Sequence, residues 1–154
     1  MMVEAQVTIG GPRAAIWAAI TDIENAGAFI RGIEKIEILE RPTFGLVGLR
    51  WRETRILFGK PAAVEKQVVE ASELGQYSTR AADGGFVFLT TFRIEERGGD
   101  TILVSSHETQ PQGFAARLQA IPMQLFFKGV IRKAILEDLN DIKKAVEEGR
   151  YHAA

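Results

Sequence analysis

The sequence predicts an α+β chain in which a curved, seven-stranded antiparallel sheet wraps a long C-terminal helix, with two short helices between the first and second strands. Three observations lead there. Residues 3–9 alternate apolar and polar, then stop at Gly10-Gly11-Pro12. Residues 33–109 hold further alternating runs separated by turn signals. Ile131, Ile135, Leu139, Ile142 and Val146 recur at helical spacing and form one apolar stripe. A bent sheet closed around that stripe buries both apolar faces at once.

The elements follow in order. Val3, Ala5, Val7 and Ile9 share one face of the first strand, opposite Glu4, Gln6 and Thr8. Pro12 suits the first position of a helix that carries Ile16, Trp17 and Ile20 on one side. A second short helix is expected over Asn25–Ile30, interrupted by Gly27 and followed by Gly32. Strands are then expected at Glu34–Glu40, with Ile36 and Ile38 inward, and at Val47–Leu57, Ala62–Ala71, Gln76–Ala81, Gly85–Glu95 and Thr101–Gln110. Arg41–Gly45, Gly59-Lys60-Pro61, Asp83-Gly84-Gly85 and Gly98-Gly99-Asp100 are the turns between them. Such short links imply a meander without crossovers. The last helix is expected from Met123 to Glu147, roughly 37 Å at ~1.5 Å per residue, with Gly149 as its stop. Residues 1–150 read as one domain and 151–154 as a tail.

Composition narrows the function. The chain has 154 residues, 46% hydrophobic and 25% charged, enough for a sizeable core. Lys and Arg total 19 against 20 Asp and Glu, so the cationic footprint of a nucleic-acid binder is missing. There is no cysteine, which excludes disulfides, thiolate nucleophiles and zinc-thiolate sites. With only His107 and His152 as imidazoles, neither a metal site nor a cofactor is expected. No apolar run approaches the ~20 residues of a membrane span. The opening MMVEAQVTIGG lacks a basic region, so a cytoplasmic location is expected.

Candidate site residues come from the strand faces. If Trp51 points inward, period two carries Glu53 and Arg55 inward with it. Buried charges need partners. The pair either holds the polar end of an otherwise apolar ligand, or its members pair with each other, or a bulge turns them to solvent. Phe86, Phe88, Thr90, Phe92 and Ile94 share a face and either line a cavity or fill a core. Tyr77 and Thr79 join them in one of two phases. The strand Thr101–Thr109 is also ambiguous: Ile102 and Val104 face inward in one phase, Leu103 and His107 in the other. Phe44–Gly48 lacks the Gly-Lys-Ser/Thr ending of a phosphate loop and reads as a hairpin. Between Glu108 and Glu137 no acidic residue occurs, while Arg117, Lys128, Arg132 and Lys133 alternate with apolar residues such as Phe114, Phe126 and Phe127. That segment is either the cap of the core or a surface that touches anionic lipid.

The element order, with certain residues, resembles the START-like superfamily of birch pollen allergens and polyketide cyclase/dehydrase proteins. The resemblance covers nearly the whole chain. It rests on Ile16-Trp17 with Thr21-Asp22, the run Val47–Arg55, Phe58-Gly59, Thr91–Glu95, Arg132-Lys133-Ala134 and Glu137-Asp138-Leu139. At Phe29–Ile33 the chain departs from the Trp and Pro usual in the family, a change that falls on the pocket rim. None of these motifs is a catalytic signature. What the resemblance implies is a helix-grip fold with a cavity between sheet and helix, and Leu103, Ser105 and His107 facing inward. The implied lining is Trp51, Glu53, Arg55, Phe86, Phe88, Thr90, Phe92, Leu103 and His107, with Phe127, Ile131 and Ile135 supplied by the helix.

Three functions are consistent with this reading. The first is binding, with or without carriage, of a small hydrophobic molecule. The second is a cyclase or aromatase in which Glu53, Arg55 and His107 act on a poly-keto chain. The third is a lipid-transfer module that docks transiently on membranes. Fold alone does not choose among them, and oligomeric state is left open.

Overall fold

The computed structural model describes residues 1–152, and of residues 115–126 the helical backbone only. Strand β1 (Met2–Ile9) leads into helix α1 (Arg13–Thr21) and a 3-10 helix at Ile23–Ala28. Six strands follow: β2 (Ile33–Glu40), β3 (Arg50–Leu57), β4 (Lys60–Ser72), β5 (Gln76–Asp83), β6 (Phe86–Arg97) and β7 (Asp100–Pro111). Helix α2 (Phe114–Glu147) closes the chain. The sheet order is β1-β7-β6-β5-β4-β3-β2, and every neighbouring pair is antiparallel. The expected fold class therefore stands: a curved seven-stranded sheet around a C-terminal helix.

Curvature has local causes. The pairing of β2 with β3 shifts register between Ile33 and Lys35 and between Ile38 and Glu40, and β4 shifts against β5 between Val68 and Glu70. Each irregularity bends its strand and strengthens the twist. Three hairpins use two-residue turns with both residues at positive φ: Phe58-Gly59, Gly84-Gly85 and Gly98-Gly99. This geometry matches the right-handed twist of the flanking strands.

Several boundaries differ from the expectation. Pro12 is the N-cap of α1, at φ −72 and ψ 151, one position before the helix proper. The second short helix begins at Ile23, not Asn25. Val47–Leu49 is loop, because Gly48 at φ 98 breaks the extended run and strand β3 starts only at Arg50. The β3–β4 turn lies at Phe58-Gly59, so Lys60 and Pro61 are already paired, with Leu57 and Ile56. Helix α2 also starts earlier than Met123, at Phe114 after Gly113 (φ 85), which makes it about 51 Å long.

The core fills the concave side. Ala15, Ile16, Ala19 and Ile20 of α1 and Ile135, Leu139, Ile142 and Val146 of α2 are buried against Val3, Ala5, Val68 and Leu103 of the sheet. Ile131, at the start of the stripe, is only half-buried. The end of α2 is tied back to β1: Gly10 donates its N–H to Glu147 Oε2 at 2.7 Å, and Lys143 donates to the Thr8 carbonyl. Gly11 packs so closely there that a Cβ would stand 2.8 Å from Val146 Cγ1. Tyr151, expected in the tail, packs edge-on against Phe29 and donates to Asp22 Oδ2 at 2.6 Å.

Candidate functional site

The site is a row of polar side chains crossing the concave face, built by register. On β3, Trp51, Glu53 and Arg55 point inward, as period two requires. Lys66 of β4 is the partner of Trp51, Thr90 of β6 is the partner of both Thr79 and His107, and His107 of β7 is flanked by Val3 of β1. Helix α2 adds Asp138, one turn from Ile135 and Ile142 on the same helical face.

Glu53 is the hub. It is 6% exposed and accepts from Arg55 Nε at 2.7 Å, Lys66 Nζ at 3.1 Å and Trp51 Nε1 at 3.3 Å. Arg55 extends the chain of charges to Asp138 with two further bonds, Nη1–Oδ1 at 3.2 Å and Nη2–Oδ2 at 2.8 Å. Two sequence alternatives thus hold together: Glu53 and Arg55 face the interior, and they pair with each other. Burial alone would raise the Glu53 carboxyl, but Lys66 and Arg55 outweigh it and hold the group at about 2. Burial likewise lowers Arg55, and its two carboxylate partners reverse the direction and raise it. Asp138 is raised, because burial exceeds what Arg55 returns.

His107 behaves oppositely. Burial lowers it, the positive charges of Lys66 and Arg55 lower it further, and Glu53 offsets only part, leaving it at about 4. It is therefore a neutral imidazole at physiological pH, one nitrogen able to donate and the other to accept. Tyr77 is fully inside, donates its hydroxyl to the Ile20 carbonyl at 2.7 Å, and is raised by burial and by the Glu53 charge.

These groups surround a hollow of about 70 Å³, room for a handful of waters. Pockets for drug-sized ligands are several times larger, roughly 300–1,000 Å³. Trp51, Glu53, Arg55, Thr90, Phe92 and His107 line it, as placed from the sequence. Phe86 and Phe88 do not; they stack on each other 6.3 Å apart, farther along β6. Leu103 and Ile135 are spent in the packed core, and Phe127 is 39% exposed. Ile131 packs at the edge of the core. The side chains of Arg117 and Phe126, read from the sequence as part of the basic apolar segment, lie outside the described residues. The β7 phase is the one with Leu103, Ser105 and His107 inward, although Ile102 and Val104 are buried too.

Lys66 and Asp138 were missed. Lys66 carries a local signal, because period two places it between Val64 and Val68 on the inward face of β4. Asp138 carries one too: it sits within the apolar stripe, three residues from Ile135 and four from Ile142. Tyr77 and Thr79 resolve to the inward phase and both line the hollow. A wider groove of about 550 Å³ lies between Trp17, Phe44, Leu46 and Glu73, with no cluster of charges. Among the described residues, no group of His, Asp or Glu could hold a metal ion, and no helix is long and apolar enough to cross a membrane.

Comparison with known proteins agrees with this architecture. An aromatase/cyclase from Streptomyces sp. R1128, Zhui, superposes with a TM-score of 0.77 at 17% identity, covering 96% of this chain and 94% of that one. A START superfamily protein from Mycobacterium smegmatis gives 0.67 at 21% identity over 97% and 96% of the two chains. The protein TTHA0849 from Thermus thermophilus gives 0.77 at 15% over 96% and 98%. At these identities the likeness shows the fold alone. Comparison with curated proteins finds no match. A family model described as polyketide cyclase / dehydrase and lipid transport matches residues 2–147, and the chain belongs to that family.

Proposed function

We propose that the chain binds a small hydrophobic molecule with one polar end, held in the hollow between sheet and C-terminal helix. The carbon skeleton would lie on Trp51, Phe92 and Ile36, and the polar end on His107 and Thr90. The observation that carries this reading is the asymmetry of the hollow. Glu53, Lys66, Arg55 and Asp138 already satisfy one another, while the neutral imidazole of His107 lines the hollow and takes part in none of these bonds. His107 is thus the group available to a ligand. The volume sets the size: a single ring or the end of a chain fits, and anything longer requires side chains to move aside.

The test is an NMR titration with phenol and with 1-naphthol. Shifts should centre on the Trp51 indole, Thr90 and His107, and His107→Phe should weaken binding about tenfold, the worth of one hydrogen bond of ~1.4 kcal/mol. Shifts confined to the Trp17–Phe44 groove, or none with either compound, would remove this reading.

A second reading, cyclase or aromatase chemistry, is favoured by the ionised Glu53 close to a neutral imidazole. General bases work best near ambient pH, and His107 at about 4 is a weak proton acceptor. That magnitude favours binding over turnover. An enzyme would lose turnover of a poly-keto substrate in Glu53→Ala or His107→Ala while retaining binding. Equal loss of both, or no turnover at all, counts against it.

A further inference from the structure

The β3–β4 hairpin ends in an aromatic residue where its geometry calls for another. Phe58-Gly59 forms a turn with φ of 52 and 78, and Leu57 pairs with Lys60 on either side. Such turns favour Asn-Gly, because left-handed backbone is costly for a residue with a large side chain. Phe58 is nonetheless 85% exposed, so burial does not offset that cost. Strain kept with so little burial points to a use at the tip.

The tip is not alone. Ile56 and Leu57 beside it are half exposed, and the Phe58 ring meets Phe127 of α2 edge-on, centroids 6.5 Å apart. Val130, one turn on, is 54% exposed. The described charges nearest this ridge in sequence are cationic. Lys60 stands at the base of the turn, and 3.6 residues per turn put Lys133 about 60° from Val130 and Lys128 about 100° from Phe127 around the helix, with Arg132 farther round, all exposed. No acidic residue occurs from residue 109 to 136. In a chain of net charge −1 this is a local asymmetry.

We propose that the Phe58 hairpin tip and the Phe127–Lys133 face of α2 form a docking surface for an anionic lipid bilayer. The convex tip suits insertion between headgroups, and the cations suit the phosphate and carboxylate layer around it. This surface stands independently of what the hollow binds. Sedimentation with phosphatidylcholine vesicles, with and without 30% phosphatidylserine, tests it. Wild type should pellet with the anionic vesicles at 50 mM salt and at least tenfold less at 500 mM. Lys128→Ala with Lys133→Ala should weaken binding roughly fivefold per charge. Phe58→Asn, which suits the turn and removes only the ring, should weaken binding several-fold with an unchanged or higher melting temperature. Absence of binding to anionic vesicles at low salt would overturn the proposal. So would full binding by Phe58→Asn, or a dimer that Phe58→Asn dissociates in the absence of any vesicle binding.

Discussion

Arg55 of β3 and Asp138 of α2 are joined by two parallel hydrogen bonds, 3.2 and 2.8 Å long, that pin the middle of the sheet to the C-terminal helix. Removing one partner of such a pair leaves the other charge partly desolvated. Arg55 retains 26% side-chain exposure, so the penalty is reduced by solvent screening. Asp138→Ala should destabilise the fold by about 2 kcal/mol, and a double-mutant cycle with Arg55→Leu should return a coupling of about 1 kcal/mol. Urea denaturation of the four proteins measures both. Gly32 belongs to the same contact: a Cβ there would stand 2.9 Å from Arg55 Nη1 and 3.4 Å from Asp138 Oδ1. Gly32→Ala should therefore disturb the pair while both of its members keep their identity.

His107 sets a pH dependence whose sign is definite. The unfolded imidazole takes its proton near 6.5 and the folded one near 4. Between those values the unfolded chain binds the extra proton, so this contribution is complete above pH 6.5 and is lost as pH falls toward 4. Its full size is roughly 3 kcal/mol. Glu53, at about 2 in the fold against 4.5, loses its own contribution only at lower pH. Asp138, raised, acts in the opposite direction and offsets part of the loss. The clean comparison is therefore wild type against His107→Gln: denaturation at pH 7.5, 6 and 5 should show the gap between them shift by a few kcal/mol. An imidazole that titrates near 6.5 in the folded protein would contradict this.

Phe58→Asn is expected to stabilise. Left-handed backbone costs an L-residue about 1–2 kcal/mol, and Asn relieves part of that. A gain of about 0.5–1 kcal/mol should raise the melting temperature by roughly 1–4 °C in a chain of this size. Calorimetry reads it directly, and a fall in melting temperature would mean that the Phe58–Phe127 contact outweighs the strain.

Tyr77→Phe removes one buried hydroxyl and leaves the Ile20 carbonyl without that partner. The expected cost is about 1–2 kcal/mol. Ring packing against Trp17 and Phe92 is untouched by this change, so near-ultraviolet dichroism should stay close to wild type while the denaturation midpoint drops.

Local chemistry made much of this legible. Alternation placed β1, β4, β5, β6 and β7 to within two residues, and it carried Glu53 and Arg55 inward with Trp51, because side-chain direction within a strand follows from the pleat alone. The same rule could not phase β7, where Ile102 and Val104 on one face and Leu103 and Ser105 on the other are all buried. It also extended β3 back through Val47, since a single glycine at positive φ interrupts a strand without changing its apolar pattern.

What the sequence determined by itself was the set of elements, the meander and the stripe of α2, all of which depend on neighbours a few positions apart. The tertiary structure alone decided that Lys66 and Asp138 complete the charge cluster around Glu53 and Arg55, and that Phe58 meets Phe127. It also decided that Glu53, Arg55 and His107 border a common hollow of about 70 Å³. Those facts depend on strand register, on bulges and on where the helix comes to rest against the sheet. Register and docking are settled by the closure of the whole core, and no window of local sequence contains both sides of such a contact.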